Sequence, residues 1–574
     1  MTKSRIFAWF GLLLAYLIIA VAIFRCLDED AFISFRYIDQ LCAGNGLVFN
    51  QGIKVEGFSN FLWIVLLLPF RAMGGSLIIC SRLLGMFFCA GTAVLIILFT
   101  KKITSQESLL PYFAGCWYIV SIPVLWWSQS GLETSLASFT LLCAIYFTLF
   151  SSGSLLWGGI FMAASSLCRP ELQAFLPLYF LWIFLIRPDK RSITTIAVLS
   201  GFILAIYLLR YLYFGHFLPT PYYIKVTGKF TEGLSYVKDF FLAGHYFWAL
   251  PFFVTALFEK KHRFATLPLA CVVLCYLFFN LYVGGDYKPH FRFAVPFIAP
   301  FIIVSVSGVY AIGNLCNHKT KRVYMYFPVS LFIVCTLLFY ADPQKEPAPS
   351  RLMITGGLSK FKDTINHQLT TYRTNYDISY MPYLGLWLKE NFSFDTTIVY
   401  GQLGQVPFFS GNKYYFIDTF GLMDRKIASL YKKGRQPAWS NFFSQMLGRE
   451  QGEHQAEDDT HREIARYVLS KQPDIIMVLG FLSHWLPWVY LWDEPSFKDT
   501  YVLKQVFGFR SGTCRKGHNC TIFNTLLFFR RDMEAPPECT FKGVSHNRFY
   551  HYTKPDEVRE WLQERLPYAL ALTY

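Results

Sequence analysis

The stretch Asp28-Glu29-Asp30-Ala31-Phe32-Ile33-Ser34-Phe35-Arg36 directly follows a long apolar run, Ile6 to Phe24. At about 19 residues the run is long enough to cross a bilayer. Lys3 and Arg5 precede it, and no small-residue cleavage site follows it. The pattern predicts an uncleaved first transmembrane helix with a cytoplasmic N-terminus. The three adjacent carboxylates are then expected at the opposite membrane surface.

Composition supports a membrane protein. The chain has 574 residues, of which 54% are hydrophobic and only 16% are charged, whereas a soluble chain carries roughly 25% charged residues. The net charge of +15 comes from short Lys and Arg clusters between apolar runs, which favours basic loops over a nucleic-acid-binding domain. The 14 cysteines are scattered, and none of them pair at zinc-like spacing, so no structural zinc site is expected.

The apolar runs and the basic clusters together predict a topology. Runs long enough to span the bilayer recur at 6–24, 83–100, 109–127, 132–150, 155–168, 171–186, 193–213, 245–258, 265–283, 293–313 and 323–340. A further run, Phe58 to Phe70, is too short to span and suits the membrane interface. Eleven helices place every compact basic cluster on the cytoplasmic face. These clusters are Lys3 and Arg5, Lys101-Lys102, 187–191, 260–263 and 319–322.

The predicted fold is therefore an all-α polytopic membrane domain of about 11 transmembrane helices over 1–340, with a first outer loop at 25–82. A smaller outer α/β domain over 341–574 follows, and it opens with the Pro-rich linker 342–349. Its predicted strands are Thr397–Tyr400, Tyr414–Ile417, Asp474–Val478 and Leu526–Phe529, and His461–Ser470 shows a helical pattern. Cys514 and Cys520 could form a disulfide in an oxidising compartment.

The acidic cluster Asp28-Glu29-Asp30 is the first candidate for chemistry. Adjacent carboxylates repel one another, so at least one should have a raised pKa unless a cation lies among them. Such a cluster can supply a general base, ligate Mg²⁺ or Mn²⁺, or do both. A solvated acidic loop is the simpler alternative.

The remaining outer segments carry charged groups at helix ends, beside Gly or Pro. The candidates for substrate binding are Glu133, Arg169, Lys225, Asp286, Lys288, His290 and Arg292. Ionisable groups that face one compartment can converge on a single cavity, where the cations would neutralise a lipid-linked phosphate and the carboxylates would handle a hydroxyl group. For any one of these cations, snorkelling or helix capping is an alternative role, and Glu133 could be a helix-dipole partner.

The order of these motifs resembles the GT-C superfamily of polyprenyl-phosphate-sugar glycosyltransferases, and within it the mycobacterial terminal arabinofuranosyltransferase group and its relatives in other bacteria. The first loop is the most specific piece, from Glu29 through Gly44-Asn45-Gly46 to Trp63. The other matching motifs are Ser130 to Thr134, Arg169-Pro170-Glu171, Leu218-Pro219-Thr220, Gly284-Gly285-Asp286 and Tyr415 to Asp424.

The resemblance implies an inverting sugar transfer whose base is an acidic residue of the first outer loop. The family's Asp-Asp pair is Glu29-Asp30 here, which favours Asp30 as the base but leaves the choice between the two open. Asp28, Glu29 and Asp30 are the candidate ligands of a divalent cation (Mg or Mn). Arg36 would either pair with these carboxylates or contact the phosphate of the substrate.

The implied partners are a polyprenyl-phosphate-linked sugar donor, a glycan or glycolipid acceptor and membrane lipid, with no nucleic acid. The expected location is a bacterial inner membrane, with the C-terminal domain in the periplasm. The alternatives are a lipid-linked glycan flippase, a glycan polymerase or protein O-mannosyltransferase, and a non-catalytic scaffold. Helix interiors nearly free of charge argue against a transporter. Trp387 and Trp485 could stack on sugar rings or be core residues.

Overall fold

The computed structural model describes two parts of the chain. The first part is residues 27–315 except 105–107, 151–154, 187, 227, 244–245, 287 and 289. The second part is residues 381–552 except 394, 435–436, 448–453, 480–487, 511–521, 535 and 538–548. The predicted helices 6–24 and 323–340, the linker 342–349, the 340/341 domain boundary, Trp485 and the Cys514–Cys520 disulfide lie outside the described residues.

The first part is helical. Its α-helices are α1 Ala31–Cys42, α2 Phe61–Ala72, α3 Leu77–Ile103, α4 Leu110–Val120, α5 Ile122–Trp127, α6 Thr134–Phe150, α7 Leu155–Cys168, α8 Pro170–Gln173, α9 Phe175–Ile186, α10 Lys190–Phe214, α11 Thr220–Lys225, α12 Phe230–Ala243, α13 Leu250–Phe258, α14 Arg263–Val283 and α15 Val295–Leu315. Short 3₁₀ turns, Phe247–Ala249 and Arg292–Ala294, lead into α13 and α15. Nine of the eleven predicted runs coincide with helices or broken helices here.

Four helical segments of the described chain are long and apolar enough to cross a membrane. They are Leu77–Ile103, Lys190–Phe214, Arg263–Val283 and Arg292–Leu315. A fifth candidate is the pair Phe230–Leu242 and Phe247–Phe258, which is bent by 80°. Helix α2 has 12 residues and is about 18 Å long, too short for a hydrocarbon core of about 30 Å. The multi-pass character is thus confirmed, whereas the count of eleven remains a prediction.

The long helices end where the sequence provides caps. Asp189 accepts a hydrogen bond from the Ser192 amide at the start of α10, and Gly215 ends that helix with a left-handed φ of 74°. Gly284 ends α14 in the same way, with φ 94°. Helix α15 is buried over 89% of its most apolar window and packs against α3, α4, α6, α13 and α14. It is therefore the centre of the bundle.

The second part combines helices with one mixed sheet. Its elements are α16 Met381–Asn391, β1 Thr397–Tyr400, α17 Gln405–Ser410, β2 Tyr415–Asp418, α18 Arg425–Gly434, α19 Ala438–Met446, α20 His454–Ser470, β3 Ile475–Leu479, α21 Trp488–Asp493, α22 Pro495–Thr500, β4 Tyr501–Arg510, β5 Ile522–Arg530 and β6 Phe549–Tyr552. The strand order is β2-β1-β3-β5-β4-β6. Strand β1 pairs in parallel with β2 and β3, and the other pairings are antiparallel. The predicted α/β domain is confirmed. We call residues 381–552 the outer domain after its predicted side of the membrane, which stays a prediction.

The sheet buries both of its faces, as the alternation of side chains along a strand allows. Val399 and Ile417 lie in a core within the outer domain, under α18 and α20. Ile398 and Phe416 face the other way, into a core that is continuous with the helical part. Trp387 belongs to this shared core, where its indole N–H donates to the Pro537 carbonyl at 3.0 Å. It is a core residue, not a sugar platform.

Candidate active site

The loop that carries the acidic cluster is held at the end of the bundle by backbone contacts. The Asp28 amide donates to the Ser130 carbonyl at 2.8 Å, and the Trp63 indole N–H donates to the Gly131 carbonyl at 2.8 Å. Gly131 has φ +80°, and a Cβ there would lie 2.6 Å from Leu27. A glycine is therefore needed where the loop meets the start of α6.

The turn between α14 and α15 brings three predicted residues onto this loop. Lys288 Nζ lies 3.0 Å from Asp28 Oδ1 and 3.3 Å from Asp30 Oδ1. Arg292 Nη1 lies 3.3 Å from Asp30 Oδ2, and Arg292 Nε lies 2.6 Å from Asp286 Oδ2. His290 and Phe291, the two residues before Arg292, both have left-handed φ values. Such values are costly for residues other than glycine. The predicted carboxylates and cations thus form one interlocked cluster.

Asp30 is the member of this cluster that remains partly open. Its side chain is 21% exposed, compared with 6% for Asp28. Burial raises the pKa of Asp30, but the positive charges of Lys288, Lys225 and Arg292 outweigh it and hold the pKa well below its usual range. Asp30 is therefore ionised at neutral pH.

A cavity of about 650 Å³ opens beside Asp30, a volume typical of ligand sites. Its polar lining includes Asp30, Ser34, Asn60, Glu133, Arg169, Glu171, Lys225 and Arg292. Its apolar lining includes Phe175 and Leu178 of α9 and Leu274, Phe278 and Phe279 of α14. Leu274 lies nine residues before the end of α14, or about 13 Å along the helix. The cavity therefore extends from charged helix ends down between two apolar helices.

The apolar part of the cavity is accessible from the side. Leu178 is 52% exposed, Leu274 55% and Phe278 60%, and all three lie on apolar helices. An apolar chain could therefore enter between α9 and α14 without leaving the bilayer. Such a groove, with a charged end, fits a lipid that bears an anionic headgroup.

A buried polar network forms another part of the cavity wall. Arg169 Nη1 lies 3.1 Å from Glu133 Oε1, and Arg169 Nε also bonds Glu171. Asn60 Nδ2 donates to Glu133 Oε2 at 2.8 Å, and the Ser34 hydroxyl donates to Asn60 Oδ1 at 3.0 Å. The network fixes Glu133 and Arg169, both predicted site residues, on the cavity surface. It offers polar groups to a hydroxyl-rich ligand.

Lys225 differs from the other cations of the cavity. Arg169, Lys288 and Arg292 are each ion-paired with carboxylates. Within the described parts of the chain, Lys225 forms no ion pair, and its side chain is exposed at the cavity surface. An anionic ligand can therefore bind to Lys225 without first breaking an ion pair of the described residues.

The prediction for Arg36 is wrong in both of its forms. Arg36 is completely buried and lies away from the acidic cluster and the cavity lining. It donates to the carbonyls of Phe49 at 3.0 Å, Gly411 at 2.7 Å and Tyr414 at 3.1 Å, and also to that of Pro407. The physical reason is that α1 turns this side of itself toward the outer domain. Arg36 joins the two parts of the protein.

His290 does not act as a cation toward a ligand either. Its side chain is buried, and its ring lies 4.3 Å from that of Trp126. Burial lowers the pKa of His290 to about 4, so it is neutral at physiological pH. Its backbone carbonyl accepts from the Trp127 indole N–H at 2.9 Å. The role of His290 is to shape the turn that presents Lys288 and Arg292.

The three predicted metal ligands point in different directions. Asp28 Oδ1 accepts from the Asp30 amide at 2.9 Å and from Lys288, whereas Glu29 Oε1 accepts from the Gly404 amide at 2.6 Å, away from the cavity lining. No group of three potential ligands comes together in the part of the chain that the structure describes. The ammonium group of Lys288 takes the place between Asp28 and Asp30 that a cation would occupy, so these side chains do not fit a shared metal site.

Glu29 is also displaced from the catalytic position that its motif suggested. Burial and the neighbouring charge of Asp30 raise the pKa of Glu29 to about 7. Of the two candidate bases, only Asp30 lines the cavity.

Sequence reasoning missed several contributors to the site. Asn60, Ser34 and Glu171 lie inside the quoted motifs. Their membership of those motifs was the signal that could have predicted their contacts with Glu133 and Arg169. Leu422 of the outer domain lines the cavity as well. A Cβ on Gly57 would lie 2.8 Å from the Leu422 carbonyl, so glycine allows the loop 418–424 to approach. No local signal connects these two distant segments.

Three comparisons with known proteins relate the chain to other proteins. A family model described as a domain of unknown function (DUF8728) matches residues 366–523, within the C-terminal part. The terminal β-(1→2)-arabinofuranosyltransferase of Mycobacterium tuberculosis is 26% identical over 250 residues, which cover 38% of this chain and 38% of that protein. The structure of ArnT from Cupriavidus metallidurans bound to undecaprenyl phosphate matches 94% of this chain and 100% of that one. Its TM-score is 0.51 at 11% identity.

The chain has the GT-C fold. The resemblance to the GT-C superfamily stated from the motifs is thus confirmed. The arabinofuranosyltransferase match spans 38% of that relative's length, and the structural match has low identity. These matches therefore establish the fold of the chain.

Proposed function

We propose that this GT-C protein is an inverting glycosyltransferase that moves a sugar from a polyprenyl-phosphate donor to a glycan or glycolipid acceptor. The single observation that carries the proposal is the cavity, which joins the ionised carboxylate of Asp30 and the ammonium of Lys225, unpaired among the described residues, to a groove lined by exposed apolar side chains of α9 and α14. The proposed location of the reaction is the periplasmic face of a bacterial inner membrane. The basic clusters of the sequence support this sidedness, since such clusters favour the cytoplasmic face.

The donor fits the two ends of the cavity. The prenyl chain lies between α9 and α14, and its phosphate meets Lys225 and Arg292. The sugar then faces the network of Asn60, Glu133 and Arg169. The names of the relatives support this assignment, because one is an arabinofuranosyltransferase and the other was crystallised with undecaprenyl phosphate.

The reaction proceeds in one displacement. Asp30 accepts the proton of an acceptor hydroxyl, whose oxygen forms a bond to the anomeric carbon. The bond between that carbon and the phosphate oxygen breaks, and its electron pair leaves with the phosphate. The cations stabilise the charge that develops on the leaving phosphate. Attack opposite the leaving group inverts the configuration of the anomeric carbon.

The ion pairs explain how Asp30 gains basicity only when donor is bound. In the free protein, Lys288 and Arg292 lower the proton affinity of Asp30. A donor phosphate near Lys225 and Arg292 adds a negative charge that partly cancels their field at Asp30. The proton affinity of Asp30 then rises in the complex that needs a base.

The proposal is tested by assaying purified protein in nanodiscs with a panel of polyprenyl-phosphate sugars and an envelope extract as acceptor. We expect one donor to be consumed and its sugar to appear on the acceptor with inverted configuration. Movement of intact lipid-linked glycan across the membrane, with no donor cleaved, would instead indicate a flippase.

Lys225→Met should weaken donor binding because it removes a cation of the cavity that forms no ion pair within the described residues. A lost charge-assisted hydrogen bond of about 1.5–3 kcal/mol corresponds to a rise in donor KM of roughly 10- to 100-fold. Lys229→Met is the matched control, since Lys229 is on the surface and pairs with Glu232 at 2.8 Å. An equal effect of the two substitutions on donor KM would contradict the assignment of the phosphate position.

Treatment with EDTA should leave the transfer rate within about twofold of the untreated enzyme. The reason is the arrangement of the acidic loop, in which Lys288 lies between Asp28 and Asp30 and Glu29 turns away. The check is the donor turnover rate with EDTA and after re-addition of Mg²⁺ or Mn²⁺. A large loss that Mn²⁺ restores would show that the loop rearranges around a metal.

A further inference from the structure

Helix α1 is contacted on two sides by different parts of the protein. On one side, Asp30, Ile33 and Ser34 line the cavity. On the other, contacts to the outer domain recur at helical spacing, at Glu29, Phe32, Arg36 and Gln40. Residues 29 and 30, adjacent in the chain, therefore belong to different surfaces.

The contact of Glu29 is specific in its geometry. Glu29 Oε1 accepts from the amides of Gly404 at 2.6 Å and Gln405 at 3.2 Å. A Cβ on Gly404 would lie 2.0 Å from the Glu29 backbone carbonyl and 2.4 Å from Glu29 Oε1. The outer-domain backbone thus touches both the side chain and the main chain of the residue before Asp30.

We propose that Glu29 is the residue through which the outer domain holds Asp30 in its working position. The outer domain is then a structural part of the donor site and not only an acceptor-binding module. Glu29 is a positioning residue, because its carboxylate does not line the cavity. The inference rests on the proposed role of Asp30 as the base.

Leu422 supports the same conclusion from a second contact. It lies in the loop after β2 and contributes to the cavity wall beside Gly57. Met423, next to it, has its sulfur 3.3 Å from the hydroxyl of Tyr37, which also accepts from the Gly57 amide at 3.0 Å. The outer domain therefore contacts the acidic loop at Glu29 and also lines the donor cavity through Leu422, beside Gly57.

The decisive substitutions are Glu29→Gln and Glu29→Ala. In Glu29→Gln the amide oxygen still accepts from Gly404 and Gln405, so turnover should stay within about fivefold of wild type, the difference between charged and neutral hydrogen bonds. In Glu29→Ala the contact is lost, and a displaced base should lower kcat by roughly 10- to 100-fold with little change in donor KM. A base or a metal ligand at position 29 would instead lose its activity in both variants.

Gly404→Ala breaks the same contact from the other side and should reproduce the kinetic behaviour of Glu29→Ala. Gly201→Ala is the control, because a Cβ there meets nothing within 4 Å. Equal activity of Gly404→Ala and wild type would overturn the proposal.

Hydrogen exchange tests the contact without reference to activity. Amides in 27–32 and 401–410 should be protected in wild type and in Glu29→Gln, and should exchange faster in Glu29→Ala. Unchanged protection in Glu29→Ala would refute the positioning role. If wild type transfers no sugar, the proposed function fails, whereas the exchange result still decides whether Glu29 orders the acidic loop.

Discussion

Asp30→Asn should abolish sugar transfer while leaving donor binding intact. Asparagine has nearly the same shape but cannot accept the proton of the acceptor hydroxyl, and general base catalysis contributes roughly 10²- to 10⁴-fold. The substitution also removes a negative charge beside Lys288 and Arg292, so these cations become more available to the donor phosphate. We therefore expect kcat to fall by that factor and donor affinity to stay the same or increase.

The measurement is turnover of the accepted donor, together with binding of undecaprenyl phosphate followed by native mass spectrometry. Asp39→Asn is the matched control, because Asp39 lies on the same helix and pairs with Arg71 at 2.6 Å, outside the cavity lining. Full activity of Asp30→Asn would remove the base from the mechanism. Loss of both activity and donor binding would point to misfolding or to a binding role.

The pH dependence of the free enzyme provides a further check on Asp30. Because its folded-state pKa is depressed, the stability from its ion pairs is present above its ordinary pKa of 3.8 and is lost only as the pH falls through the lower folded value. Asp30 should therefore cause no loss of kcat/KM between pH 7 and 5. If kcat/KM does fall between pH 7 and 5, and this fall is absent from Asp39→Asn, the titrating group is Asp39 and not Asp30.

Arg36→Met should separate the outer domain from the helical part. The guanidinium donates to four carbonyls and lies 4.8 Å from the ring centroid of Phe49 and 5.2 Å from that of Phe416, in a completely buried position. Methionine fills part of the space but leaves buried carbonyl oxygens without a donor. Each carbonyl left unsatisfied costs about 1–3 kcal/mol of stability. We expect a loss of roughly 3–5 kcal/mol in the free energy of unfolding.

The check is thermal unfolding in detergent combined with limited proteolysis of the outer domain. Arg71→Met is the control, because Arg71 on α2 pairs with Asp39 of α1 at the surface. Its side chain is 38% exposed, so this ion pair should be worth less than about 1 kcal/mol. A stable Arg36→Met variant with a raised donor KM would restore the phosphate-binding role that the sequence suggested.

The sequence determined the features that depend on local pattern. Apolar runs of membrane-spanning length predicted the helices, because each helix satisfies its own backbone hydrogen bonds within one segment. The alternating strands of the outer domain and the glycines at 284–285 were equally local signals. The charged motifs at the helix ends identified Asp30, Glu133, Arg169, Lys225, Asp286, Lys288 and Arg292, all of which belong to the acidic cluster or to the cavity lining.

Only the tertiary structure decided what each charge does, because the role of a charged group depends on partners that are far away in the sequence. Glu29 and Asp30 are neighbours with the same chemistry. Glu29 nevertheless accepts a hydrogen bond from Gly404, some 375 positions further on, whereas Asp30 lines the cavity. The sequence suggested that Arg36 contacts a phosphate, but in the structure its guanidinium donates to backbone carbonyls within 407–414. The pKa of Asp30 lies below the ordinary value for an aspartate because Lys288 lies between Asp28 and Asp30. Lys288 is brought there by a turn 260 residues away.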